Sequence, residues 1–194
     1  MKVLGINGSH RKESTTLFFL NKALAICQKE GLETETIELW DKRLEYCRHC
    51  NHCRDNPGEC ATKDDMPGIF RKMRESDAII LASPTYFASI SGRMKTLMDR
   101  SITLRRDNYA LKNRIGGGIT IGASRNGGQE LVLNQIINFF LLQEMLPVAD
   151  KQTAHFGGIA WVPRGSKPEE DKTGIETCEN LGRKICEVLK LIHR

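Results

Sequence analysis

The run Asp77-Ala78-Ile79-Ile80-Leu81-Ala82 is apolar at every position after the first, contains β-branched residues and is bounded by polar ones. A strand without polar alternation must be covered on both faces, which is the situation of a parallel sheet held between two helix layers. Ile115 to Ile121 repeats the pattern with extra glycine, and Lys2 to Asn7 is a shorter apolar strand. Between them lie segments with helical spacing. Apolar residues recur at Leu17, Leu20, Leu24 and Cys27 within Thr15 to Lys29, and at Val132, Ile136, Phe139 and Phe140 within Gly128 to Met145. A last helix from about Pro168 to Ile192 carries Ile175, Cys178, Leu181, Ile185, Val188 and Ile192. Cys27 and Cys178 fall on these stripes and read as small core residues, whereas the pattern leaves Cys186 undecided.

Two more strands complete the pattern. Thr34 to Trp40 alternates as a half-exposed edge strand does, and Pro147 to Val162 holds a fifth strand with its loop. Strands alternating with helices imply right-handed crossovers and a parallel sheet. The expected architecture is therefore α/β, a three-layer sandwich around a five-stranded parallel sheet in the flavodoxin-like order 2-1-3-4-5. In such a sheet a ligand lies outside the carboxyl ends of the strands, where the order reverses.

Three loops leave those ends. Gly8 to Thr16 is rich in hydroxyls and opens a helix, so free backbone N–H groups and the helix dipole favour a phosphate there, with Arg11 adding charge. The same serines and threonines would serve equally as N-caps. Ser83 to Gly92 offers a proline-stiffened backbone and two aromatic residues, Tyr86 and Phe87. Gly122 to Glu130 contains paired glycines that permit close approach. Neither a dinucleotide fingerprint nor a P-loop is present, which leaves a mononucleotide such as FMN.

Cys47, Cys50, Cys53 and Cys60 stand in the spacing C-x2-C-x2-C-x6-C directly after the second strand. Three thiolates two residues apart can reach one compact centre, as in ferredoxin-type iron–sulfur sites. The rival is a zinc ion on four thiolates, which more often uses two CxxC knuckles separated by a longer excursion. Disulfides suit the chain poorly, because its seven cysteines are odd in number and nothing marks it as secreted. His49 and His52 lie inside the motif and read as solvated loop residues. Thr62 to Pro67 reads as a helix start with Asp64 or Asp65 near its N-terminus, closing the cysteine loop. Lys95 and Asp99 are four apart on one helix face and read as an exposed ion pair, with Arg100 following them.

The 194 residues suffice for one sizeable core, so a single domain spanning 1–194 is expected, with residues 41–63 inserted as the metal-binding loop. The net charge of +5 is mild and spread along the chain, so no nucleic-acid partner is expected. Met1 to Asn7 is too short for a signal peptide and Ile136 to Leu142 too short for a span, so no membrane contact and a cytoplasmic location are expected.

Taken together, GSHRKESTTL at Gly8 to Leu17, the cysteine motif, SPTYFASISGRMKTLMDR at Ser83 to Arg100 and SRNGGQE at Ser124 to Glu130 resemble the iron–sulfur flavoprotein family. That family is a branch of the NADPH-dependent FMN reductase-like group with a flavodoxin-like fold. The resemblance covers nearly the whole chain. It implies one FMN and one [4Fe-4S] cluster per subunit, with Cys47, Cys50, Cys53 and Cys60 as cluster ligands. Ser9, Arg11, Ser14, Thr15 and Thr16 would contact the phosphate, while Pro84, Thr85, Tyr86 and Phe87 with Ser124, Arg125, Asn126 and Gly127 would hold the isoalloxazine ring. The first loop departs from the common family pattern at His10, Glu13 and Ser14. The resemblance further implies electron transfer from a ferredoxin-type donor to an unidentified acceptor, in a homodimer or a dimer of dimers where one subunit's cluster lies near another's FMN. No nucleophile, general acid or triad is required. The alternative is an NAD(P)H-dependent FMN or quinone reductase in which the metal is structural.

Overall fold

The computed structural model describes residues 1–193, so Arg194, at the end of the expected domain, lies outside the described residues. Its centre is a wholly parallel sheet built from β1 (Lys2–Asn7), β2 (Glu33–Glu38), β3 (Ala78–Pro84), β4 (Ile115–Gly122), β5 (Leu146–Val148) and β6 (Gly158–Trp161). The order is β2-β1-β3-β4-β5, with β6 also pairing with β4.

The uninterrupted apolar strand β3 supplies both layers. Ile79 and Leu81 join Leu4 and Ile6 in a core completed by Phe70, Met94 and Phe140. These come from α3 (Met66–Arg74), α4 (Gly92–Arg100) and α6 (Gln129–Leu142). Ile80 and Ala82 join Val3 and Ile119 in a second core with Phe19, Leu20, Leu181 and Ile185. That layer is made by α1 (Thr15–Lys29) and α7 (Lys172–Ile192). Each fully buried Leu, Ile or Phe contributes roughly 1.5–3 kcal/mol, so the sheet is fixed by burial on both sides. The glycines of β4 let the helices settle closely: a Cβ on Gly116 would lie 2.6 Å from the Phe140 ring.

The edge strand β2 is polar along ETETIE, with only Ile37 buried, and it stops at Glu38 rather than reaching Trp40. The expected fifth strand is two pieces sharing one position. β5 pairs with Ile115 to Gly117 and β6 with Ile119 to Gly122, while residues 149–157 bulge between them. The His155 N–H donates to Asp150 Oδ1 at 2.8 Å across that bulge. The last helix begins at Lys172, after a 3-10 turn at Pro168–Glu170, because the Asp171 side chain caps it by accepting from the Gly174 N–H. Cys27, Cys178 and Cys186 are all buried, which places Cys186 in the core too. Among the described residues no helix is long and apolar enough to cross a membrane.

Candidate functional site

Residues 41–63 leave the sheet after β2 and return at α3 through two staples. The Arg43 N–H donates to Asp65 Oδ2 at 2.7 Å and the Asp65 N–H to the Arg43 carbonyl at 3.1 Å. One step further in, the Glu45 N–H donates to Asp64 Oδ2 at 2.9 Å. Asp65 occupies the position before α3 without a side-chain cap bond, while Asp64 Oδ1 accepts from the Met66 N–H at 3.2 Å. The expected closure of the cysteine loop thus falls to both aspartates.

Within the excursion, regular structure is confined to α2 (His52–Asp55). His49 and Asn51 adopt φ of 51° and 61°, left-handed conformations on either side of Cys50 that reverse the chain. Such residues cost of order 1–3 kcal/mol each and cluster at functional sites. Cys47, Cys50, Cys53 and Cys60 all line one cavity of about 460 Å³, shared with His49, His52, Arg100 and Arg106. Cys47 and Cys50 are exposed, Cys53 and Cys60 partly buried. Among the described residues no three His, Cys, Asp or Glu side chains close on one point so as to hold a single metal ion. The thiols stand around a space instead.

Two arginines face that space from behind. Arg100 ends α4 and is 1% exposed; its Nη2 donates to Cys60 Sγ at 3.3 Å, and its Nη1 donates to the Asp64 carboxylate and to the Glu45 carbonyl at 3.1 Å. Arg106 ends α5 (Ile102–Arg106), which packs on α2, and donates to Cys53 Sγ at 3.1 Å. Burial alone would push the Cys60 thiol up, but the Thr62 N–H and the Arg100 guanidinium outweigh it and favour the thiolate. Burial likewise opposes ionisation of Asp64, yet Arg100 and the N–H groups of Glu45 and Met66 hold its carboxyl below the usual range. A four-thiolate set with cationic donors suits an iron–sulfur cluster, whose charge lies on its sulfurs.

The three loops at the carboxyl edge of the sheet adjoin one another. In the first, Ser14 caps α1, accepting from the Leu17 N–H at 3.2 Å, and Ser9 Oγ accepts from the Arg11 N–H at 3.1 Å. Ser9, Ser14 and Thr16 are buried, Thr15 is half-buried and Arg11 is exposed. The two serine hydroxyls therefore already serve the loop's own backbone. The first turn of α1 contains no acidic residue, so its positive end remains open to an anion.

In the second loop, Tyr86 and Ser89 exchange backbone hydrogen bonds at 3.0 Å around Phe87 and Ala88, whose φ values are 49° and 56°. Tight turns with two positive φ values ordinarily require Gly or Asn. Here the strained turn leaves Phe87 wholly in solvent and Tyr86 partly so. Gln135 of α6 clamps it, accepting from Ser89 Oγ at 3.0 Å and donating to the Ala88 carbonyl at 3.2 Å. Pro84 ends β3, and the Thr85 hydroxyl lies 3.0 Å from that of Thr120. The Tyr86 ring sits 5.7 Å from His10, joining loops one and two.

Loop three turns through Ser124 to Gly127, the Gly127 N–H donating to the Ser124 carbonyl at 3.2 Å, with Arg125 stacked over Trp161. Asn126 has φ of 54°, and Gly128 at 96° packs so closely on loop two that a Cβ would lie 2.5 Å from Ala88 Cβ. Gln129 Oε1 is buried without a partner at the base of this loop, near Gly127. An open helix terminus, an exposed aromatic on a strained turn and a free buried acceptor together fit FMN.

Sequence reasoning did not anticipate the supports: Gln135 was left out entirely, Arg106 was read only as part of a local basic patch with Arg105, and Arg100 only as part of a charged stretch. A polar residue inside the apolar helix QELVLNQIINFFLL was the available signal for Gln135. The two arginines reach across elements and leave no local pattern.

Residues 1–157 match the family model described as NADPH-dependent FMN reductase. An iron–sulfur flavoprotein of Methanocaldococcus jannaschii is 47% identical over 195 residues, covering 100% of each chain. One of Methanosarcina thermophila is 40% identical, covering 100% of this chain and 98% of that one. Among solved structures, a flavodoxin-like WrbA-like protein of Agrobacterium tumefaciens superposes with a TM-score of 0.68 at 15% identity, covering 98% of each chain, which supports the fold. The chain belongs to the iron–sulfur flavoproteins, a redox-active branch of the NADPH-dependent FMN reductase family.

Proposed function

We propose that this chain accepts electrons from a ferredoxin-type donor and delivers them to a further acceptor, using a [4Fe-4S] cluster and FMN as its redox groups. The observation that carries the reading is the lining of one cavity by Cys47, Cys50, Cys53 and Cys60. In this reading residues 1–194 act as one domain in the cytoplasm, with 41–63 as its cluster-binding insertion. Bound there, the cluster supplies single-electron transfer and FMN accommodates one or two electrons.

The chain's own work is binding and positioning. The four cysteines hold the cluster. Ser9, Arg11, Ser14, Thr15 and Thr16 surround the phosphate seat at the start of α1, where Ser9 and Ser14 accept from the Arg11 and Leu17 N–H groups and keep their own O–H donors for an anion. Pro84, Thr85, Tyr86 and Phe87, with Ser124, Arg125, Asn126 and Gly127, would hold the flavin ring. Leu131, Leu141 and Leu142 of α6 are exposed and support self-association, as a homodimer or a dimer of dimers.

The test is the iron, acid-labile sulfide and FMN content of anaerobically purified protein, followed by reduction with dithionite and with reduced ferredoxin. About four irons, four sulfides and one FMN per chain, reducible by ferredoxin, are expected. The family model favours one other reading, an NAD(P)H-dependent FMN or quinone reductase with a structural metal. Zinc in place of iron, with stoichiometric flavin bleaching by NADPH alone, would establish that reading instead.

A further inference from the structure

Two cysteines of the motif differ from the other two in having a guanidinium aimed at their sulfurs. Arg100 donates to Cys60 Sγ at 3.3 Å from the end of α4, and Arg106 donates to Cys53 Sγ at 3.1 Å from the end of α5. We propose that Arg100 and Arg106 are positioning residues that set the reduction potential of the centre held by the four cysteines, by placing hydrogen-bond donors and positive charge against two of its sulfurs. The inference rests on the cluster reading above.

The physical argument concerns charge. Four thiolates make the centre anionic, and reduction adds one more negative charge, concentrated partly on sulfur. Donors and cations at those sulfurs stabilise the reduced form more than the oxidised one, so they raise the potential. Charge-assisted donors do so more strongly than neutral ones.

The two arginines act unequally. Arg100 is buried, and its charge is matched by Asp64, whose side chain is 0% exposed. Further bonds to the Glu45 carbonyl at 3.1 Å and the Thr62 carbonyl at 3.5 Å fix the guanidinium plane. What reaches Cys60 is a directed hydrogen bond from a largely neutralised pair. Arg106 is half-buried, and among the described residues its one side-chain hydrogen bond is to Cys53, with no carboxylate at ion-pair distance. What reaches Cys53 is an uncompensated charge, stronger in effect and open to screening by salt.

The experiment is a redox titration of anaerobically purified, full-length holoprotein, following the cluster by electron paramagnetic resonance and the flavin by absorbance. Wild type is compared with Arg106→Gln, Arg106→Lys and Arg100→Lys, each after iron, sulfide and FMN analysis. Arg106→Gln, which removes the charge, is expected to shift the cluster's reduction equilibrium about tenfold toward the oxidised form, or about 59 mV for a one-electron couple, without moving the flavin. That difference narrows as salt rises. Arg106→Lys and Arg100→Lys, which keep the charge but lose the forked donor, are expected to shift it about threefold. Potentials within twofold of wild type in both Arg106→Gln and Arg100→Lys, at full cluster content, would overturn the proposal. So would loss of the cluster from Arg106→Gln and Arg106→Lys alike, which assigns the contact a structural role. Wild-type protein lacking iron and sulfide would instead remove the cluster reading itself, a failure visible before any variant is titrated.

Discussion

The cysteine excursion and the three loops at the carboxyl edge of the sheet are built by opposite means. The excursion gathers side chains: four thiols on a segment with one short helix, tied at its base by Asp64 and Asp65 and faced by two guanidinium groups from the ends of α4 and α5. The loops are fixed largely through backbone groups, and the parallel ladders place them. The Gly8 N–H donates to the Ala82 carbonyl at 2.8 Å, the Thr85 N–H to the Ile121 carbonyl at 2.8 Å, and Ser91 Oγ to the Gly8 carbonyl at 2.6 Å. A side-chain site can be inserted between two elements without disturbing the sheet. A backbone site depends on the register of every strand beneath it.

Separability is the sharpest consequence, and Cys53→Ser tests it with the largest expected effect. Iron and sulfide should fall to near zero and ferredoxin-driven reduction should vanish, while FMN content stays at the wild-type level. Joint loss of both cofactors would break the contrast between the two regions.

Asp64→Asn probes the base of the excursion. Removing one partner of a buried ion pair leaves the Arg100 charge uncompensated, at a cost of about 3–5 kcal/mol. Thermal melting of the purified protein should show it, with cluster content falling and FMN binding following only through global stability. The wild-type carboxyl is held below its ordinary range, so the stability it contributes is present above about pH 4 and is lost as pH falls through the lower folded value. Acid unfolding of Asp64→Asn should lack that component; an identical acid limb in both proteins would reject the assignment.

For the loops the corresponding change is Gly128→Ala. A non-glycine residue at φ of 96°, with its Cβ 2.5 Å from Ala88 Cβ, must push loops two and three apart. The expected cost is about 1–3 kcal/mol, with FMN affinity reduced about tenfold and cluster content unchanged. Unaltered flavin binding by titration would show that the two loops need not touch.

The smallest effect belongs to a residue in neither region. Lys95 and Asp99 form an ion pair on α4 with side chains 58% and 46% exposed, so Lys95→Ala should change stability by less than about 0.5 kcal/mol and neither cofactor's content. A larger loss of FMN or of self-association would give this face a role the isolated subunit does not display.

The four cysteines were legible as a set because residue type and spacing single them out, and the structure gathers them around one cavity; the strand Ala78–Pro84 was legible because burial on both faces suppresses polar alternation. The split of the fifth strand was not legible: β5 and β6, three and four residues long, are too short to show a period. The strained Phe87–Ala88 turn was equally hidden, because no glycine announces it and Gln135, far along the chain, clamps it.

The sequence by itself determined the layered α/β architecture, the alternation of its strands and helices, the thiol set between β2 and β3 and the loops that follow the strands. These follow from local patterns, apolar periodicity and residue chemistry, which need no knowledge of distant neighbours. Only the tertiary structure decided that Arg100 meets Cys60 across 40 positions and Arg106 meets Cys53 across 53, and that Asp64 neutralises one of these arginines and not the other. Such contacts arise when helices end against a loop from elsewhere in the chain, and a guanidinium on a helix end carries no mark of which sulfur it will face.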